Sequence, residues 1–190
     1  MYKQKIGWVI GFNLVIVVVE LLFGWVSNSY ALISDALHNF GDIISLVVTY
    51  MTLYKSYSAN KNATLFNIFI LYLSMFYIIY EAIGKLQNPL EVDATYMIIV
   101  GTIALVANAL SAYMLSKMHI SHCTSHQHQH DNIHSAYLHM FSDALISFGV
   151  IVGGVVIALY DVYMVDSVLT IVFSLYIMWH SYPMFIKAIR

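Results

Sequence analysis

Charge is what this chain has least of. Only 9% of its 190 residues are Asp, Glu, Lys or Arg, whereas 61% are apolar. A soluble domain carries about 25% charged residues, because its surface must face water. With a mean hydropathy of +0.77, this chain cannot cover a water-facing surface, and lipid is the solvent that fits. A net charge of -2 leaves no basic excess for nucleic acid. The single cysteine, Cys123, excludes an intramolecular disulfide. No small-residue cleavage site follows the first apolar run, which therefore reads as a retained helix rather than a signal peptide. Apolar–polar alternation is also missing, and the apolar runs are too long for strands.

What is present is a set of six long apolar windows, at 6–27, 31–54, 63–84, 96–117, 133–160 and 163–182. A spanning helix needs about 20 mainly apolar residues, since the hydrocarbon core is ~30 Å thick and each residue rises 1.5 Å. The expected fold is an all-α polytopic membrane protein of six transmembrane helices, forming a single transmembrane domain over 1–190. Ser27-Asn28-Ser29 forms a tight polar turn, 55–62 a short polar loop, and Gln87-Asn88-Pro89 a helix stop at proline. A histidine-rich loop covers 119–132, and Asp161-Val162 barely separates the last two windows. Lys3, Lys5, Lys55, Lys61, Lys117, Lys187 and Arg190 fall on one side, with only Lys85 on the other. The positive-inside rule then predicts that both termini and the histidine loop are cytoplasmic.

Ionisable residues within such windows are costly, about 2.5–3.5 kcal/mol for a mid-bilayer carboxylate on insertion scales, and so mark function or a buried partner. They are Glu20, Asp35, His38, Asp42, Glu81, His139, Asp143, Asp166 and His180. Two pairs stand apart: His38-Asn39-Phe40-Gly41-Asp42 in the second window and His139-Met140-Phe141-Ser142-Asp143 in the fifth. Each reads HxxxD, and a spacing of four puts both side chains on one helical face, one turn apart. Brought together, they give two imidazoles and two carboxylates, a four-coordinate N/O set of the kind zinc takes. The lack of thiolate argues against copper(I), while manganese, cobalt, iron and cadmium stay open on affinity. With neutral imidazoles the empty set carries two negative charges. One divalent cation cancels them, and so do two protons, so metal–proton exchange follows naturally.

In their order and spacing these residues resemble the cation diffusion facilitator family of zinc transporters. The likeness runs through Asn13, Glu20 and Gly24, then Asn28-Ser29-Tyr30-Ala31-Leu32 and Ser34-Asp35-Ala36-Leu37-His38, with Asp42. It continues through Tyr80-Glu81-Ala82-Ile83, Asn88-Pro89, Asn108, Ala136-Tyr137-Leu138-His139, Asp143, Ser147 and Val165-Asp166-Ser167. The resemblance implies a homodimeric exporter that moves Zn2+ out of the cytoplasm against H+ by alternating access. It also implies transport ligands at His38, Asp42, His139 and Asp143. Such proteins usually continue into a cytoplasmic metal-binding domain, whereas this chain stops at Arg190. The loop 55–62 has no His, Asp or Glu, so the second zinc site that some relatives hold there is expected to be absent.

The remaining candidates divide by position. Asp35 shares a face with His38 and Asp42 and is expected outward of them, either guiding a released cation or bonded locally at the helix entry. His122, His126, His128 and His130 suit a flexible zinc gatherer at the cytoplasmic mouth, or else a solvated linker. Glu20 and Glu81 are expected as neutral acids hydrogen-bonded between helices, with Asn13 or Asn108 as partners. Asp166 and His180 are expected near water at span ends. Gly149, Gly153 and Gly154 suit close helix approach in lipid. No organic cofactor is implied. An enzyme is not expected, since HExxH and the Walker GxxxxGK[ST] pattern are both missing. The competing reading is a non-transporting membrane zinc sensor or partner subunit. The expected location is a bacterial inner membrane, or an organelle membrane in a eukaryote.

Overall fold

The computed structural model describes the backbone of residues 2–52, 57–121 and 127–189, and the side chains of 11–44, 65–110, 113, 141–183, 185 and 186. Among the described residues the chain forms six α-helices and no strand. They are α1 (Tyr2–Val26), α2 (Tyr30–Thr52), α3 (Tyr57–Gln87), α4 (Ala94–Ser121), α5 (Gln127–Tyr160) and α6 (Met164–Ile189). Three described segments are long and apolar enough to cross a membrane, namely Leu65–Gln87, Phe141–Tyr160 and Met164–Pro183. Gly11–Val26 and Ala94–Leu110 are apolar but shorter. Large side chains such as Phe66, Phe69, Phe76, Leu159 and Trp179 stand exposed on the outside of the bundle, as a lipid-facing surface requires.

The helix ends follow from local chemistry. Asn28 adopts a left-handed φ of 55°, which a short polar side chain tolerates. The Ser29 amide then reaches back to the Gly24 carbonyl at 2.8 Å and the Asn28 amide to Trp25 at 3.3 Å, closing α1 in a Schellman motif. Ser29 also starts α2, its hydroxyl accepting from the Leu32 amide at 3.3 Å as an N-cap. Asp93 caps α4 in the same way, accepting from the Thr95 amide at 2.9 Å. Asp161, with φ 54°, separates α5 from α6.

All the helices but α2 are longer than the expected spans. α3 begins at Tyr57, inside the expected loop 55–62. α4 runs to Ser121 and α5 starts at Gln127, so helix enters the expected loop 119–132 from both sides. Polar side chains end a span but not a helix, and neither stretch contains glycine or proline to stop one.

Packing makes α2 the central element, in contact with α1, α3, α5 and α6, while α3 pairs with α6 and α4 with α5. An apolar core of Leu32, Met97, Val100, Val150 and Ile157 fills the bundle toward the start of α2 and the end of α5. The α1–α2, α3–α4 and α5–α6 connections meet at this same end. There the Asp93 amide donates to the Ser27 carbonyl at 3.0 Å, and Ser29 Oγ donates to Asp166 Oδ1 at 2.6 Å.

Candidate metal centre

The α2 pair keeps the geometry that its spacing dictates. His38 Nε2 lies 3.7 Å from Asp42 Oδ2, one turn along the helix. Across the bundle, His38 Nε2 lies 3.2 Å from Asp143 Oδ1 on α5. One ligand atom from each of His38, Asp42 and Asp143 falls within 4.8 Å of the other two. In a tetrahedral zinc site with bonds of 2.0–2.2 Å, neighbouring donor atoms stand about 3.4 Å apart. Both separations from His38 lie near that value, so the three side chains are close enough to share one divalent ion.

The fourth expected ligand, His139, has its backbone in α5 one turn before Asp143, but its side chain lies outside the described residues. His122 and His126 also lie outside the described residues, as do the side chains of His128 and His130, whose backbone begins α5.

Burial makes the cluster electrostatically demanding. The side chains of His38 and Asp143 are 5% and 1% exposed, whereas Asp42 is 27% exposed. The centre is therefore reached from the Asp42 side, toward the C-terminal end of α2. Two carboxylates held beside one imidazole in a low-dielectric interior repel one another unless a cation or protons join them.

Asp35 lies behind the cluster, fully buried, and accepts from Ser147 Oγ at 3.1 Å. The Asp143 carbonyl also lies 3.1 Å from Ser147 Oγ, so the two acceptors share its single proton, which ties Asp35 to the α5 turn that carries Asp143. Glu20 on α1 is fully buried and accepts from Asn39 Nδ2 at 3.2 Å. This partner on α2 was not among those expected, Asn13 and Asn108. The clue to it was that Asn39 falls next to His38 within a membrane window. Glu81 is half-buried and accepts from Tyr30 Oη at 3.3 Å. His180 stacks on Tyr176, with ring centroids 5.9 Å apart.

The expectation for Asp166 needs correcting. It lies in the first turn of α6, at the span end as expected, but is 0% exposed and so shielded from water. It accepts from Ser29 Oγ and from the Tyr30 and Ala31 amides, at 2.6, 2.9 and 3.2 Å, and pairs with Lys85 Nζ at 3.1 Å. The exposed amides of an α2 N-terminus attract an anion, and α6 supplies it. Lys85, expected as the single cation of its side, is likewise buried here.

A family model described as the cation efflux transmembrane domain matches residues 8–190. The chain belongs to the cation efflux family. The resemblance drawn from its motifs thus holds over nearly its whole length. Among its relatives is the metal cation efflux system protein CzcD of Cupriavidus metallidurans, 30% identical over 85% of this chain and 52% of that protein. The cadmium, cobalt and zinc/H(+)-K(+) antiporter of Bacillus subtilis is 33% identical over 87% of this chain and 55% of its own. The zinc transporter ZitB of Yersinia pestis is 28% identical over 85% and 53%. This cation efflux chain spans about half the length of these curated relatives. They are named as efflux, transport and antiport proteins, and on that coarse level the family is one of transporters.

Proposed function

We propose that this chain is the membrane domain of a divalent-cation exporter that carries Zn2+ as substrate and exchanges it for protons. The transport ligands in this reading are His38, Asp42, His139 and Asp143. The observation that carries it is the 3.2 Å approach of His38 to Asp143, with Asp42 in the same cluster. Two acids beside an imidazole, one buried and one partly exposed, are neutralised equally well by one M²⁺ or by two protons. A centre that is neutral in both forms can change its access between the two faces without dragging net charge through lipid. The relatives named for zinc, cadmium and cobalt support the substrate class, and the antiporter name supports proton exchange.

Asp35 then serves as an accessory residue on the exit side, and His122, His126, His128 and His130 gather cation at the entry side. The chain works as a homodimer, with both termini cytoplasmic, in a cell or organelle membrane. It is not an enzyme, since four strong ligands leave no open metal position for a reacting water.

The test is uptake of Zn2+, Cd2+, Co2+ and Mn2+ into sealed vesicles by wild type and Asp143→Ala, with and without a pH gradient. Zinc flux that needs Asp143 and responds to the gradient is expected. Zinc binding without flux would identify a sensor or partner subunit instead. Flux indifferent to the gradient would remove the proton coupling.

A further inference from the structure

Among the described residues, the candidate centre is exposed at Asp42 and buried at His38 and Asp143. Asp42 gives it access toward the C-terminal end of α2. Toward the other end, eight residues and about 12 Å of helix separate His38 from Tyr30 at the start of α2. That stretch is closed in two layers. The inner layer combines buried polar pairs, Asp35 with Ser147 at 3.1 Å and Ser34 with Ser174 at 3.2 Å, with the apolar Leu32 and Met97 at 0% exposure. The outer layer is ionic. Lys85, from the last turn of α3, contacts the Asn28 carbonyl and Asp166 Oδ2, and stands 4.9 Å from the Tyr30 ring centroid.

This outer layer joins two groups of helices. α3 and α6 pack on each other, and α2 packs with α1. Lys85 and Asp166 belong to the first pair, and everything they grip on the other side, at Asn28, Ser29, Tyr30 and Ala31, belongs to the α1–α2 turn. A cation leaving on this face must pass where these groups meet, so the α2 entry and the α3–α6 pair have to part there.

We propose that Lys85 and Asp166 form the latch that holds this face shut, and that its release is the step by which the centre opens to the side opposite Asp42. The proposal rests on the transport reading above. Asp166 is suited to the role because it faces both groups: when the α2 amides part from it, the Lys85 ammonium on its own side still neutralises it. What lets go is the grip across the two groups, Lys85 on the Asn28 carbonyl and Asp166 on the α2 amides. A lysine suits this better than an arginine, since a compact ammonium on a flexible stem can leave the carbonyl and be hydrated at the opening mouth.

The experiment reads accessibility rather than flux, so it stands or falls apart from the transport assay. In a Cys123→Ser background, Ser34→Cys lies between the latch and the centre, and Ser181→Cys is a buried control toward the other end of α6. A membrane-impermeant maleimide is applied to vesicles from each side in turn. Lys85→Met is expected to speed labelling of Ser34→Cys about tenfold or more from one side only, leave Ser181→Cys unchanged, and preserve zinc binding. Lys85→Arg, which keeps the charge but releases less readily, should label no faster than wild type. Where Lys85→Met does not insert, Lys85→Gln should give a smaller rise of the same kind. Unchanged labelling of Ser34→Cys overturns the proposal. An equal rise at both positions also overturns it, because general loosening and not a latch would then be the cause.

Discussion

Asn67 on α3 donates from Nδ2 to the carbonyl of Gly41 at 2.8 Å, one residue before Asp42 on α2. The bond braces the partly exposed turn of the candidate metal centre from α3. Asn67→Leu removes the donor. One neutral hydrogen bond contributes about 1 kcal/mol, equivalent to roughly a fivefold change in equilibrium. A zinc-binding isotherm should show an affinity loss of that size, with insertion intact. An unchanged isotherm would mean that Asp42 holds its position without Asn67.

Asp143 is the buried carboxylate of the centre and lies closest to the imidazole. Loss of groups that merely orient metal ligands costs about 10–100-fold in affinity, and loss of a ligand should cost at least the upper end of that range. Asp143→Asn keeps shape and burial but removes the charge, so zinc affinity is expected to fall by about 100-fold or more. Asp42→Asn, at a site that water partly reaches, should cost less. Titration calorimetry on both variants tests the order, and equal losses would contradict the burial argument.

Asn39 and Glu20 form a polar contact between α1 and α2, beside the centre but not in its ligand set. Asn39→Ala leaves a buried carboxyl without that donor, which costs about 1–3 kcal/mol. Thermal unfolding in detergent should show the loss, while zinc affinity changes much less. A variant that unfolds normally but binds zinc poorly would move Glu20 and Asn39 into the centre itself.

Gly149 lets α5 lie directly against α6. A Cβ placed there would stand 2.7 Å from Phe173 Cζ and 3.2 Å from Cε1, so the half-buried ring would have to shift. Gly149→Val should destabilise the bundle by about 1–3 kcal/mol, the usual range for overpacking. A raised melting temperature would show that the ring moves aside freely.

The entry histidines are expected to affect supply rather than turnover. Replacing His122, His126, His128 and His130 together should raise the apparent KM for zinc and leave the maximal rate nearly unchanged in vesicle uptake. Unchanged kinetics would make the segment a linker.

The amino-acid sequence by itself determined the solvent, the secondary structure and the chemistry on offer. A chain with so few charges could only fold in lipid, its long apolar runs could only satisfy their backbone as helices, and HxxxD had to put His38 and Asp42 one turn apart. All of these are local consequences of composition and of a period of 3.6. The turns at Asn28 and Asn88-Pro89 were legible for the same reason, since their residue types carry their own backbone preference. The helix extensions beyond the spans were not, because apolarity marks where lipid ends and not where hydrogen bonding ends. Tertiary structure decided which ionisable groups met. Ser29 and Asp166 lie 137 residues apart, Lys85 and Asp166 lie 81 apart, and nothing within either segment names the other. Their pairing depends on the rotation and depth of α3 and α6 against α2. Those follow from the summed packing of many apolar side chains, a property of the assembled bundle and not of any one window.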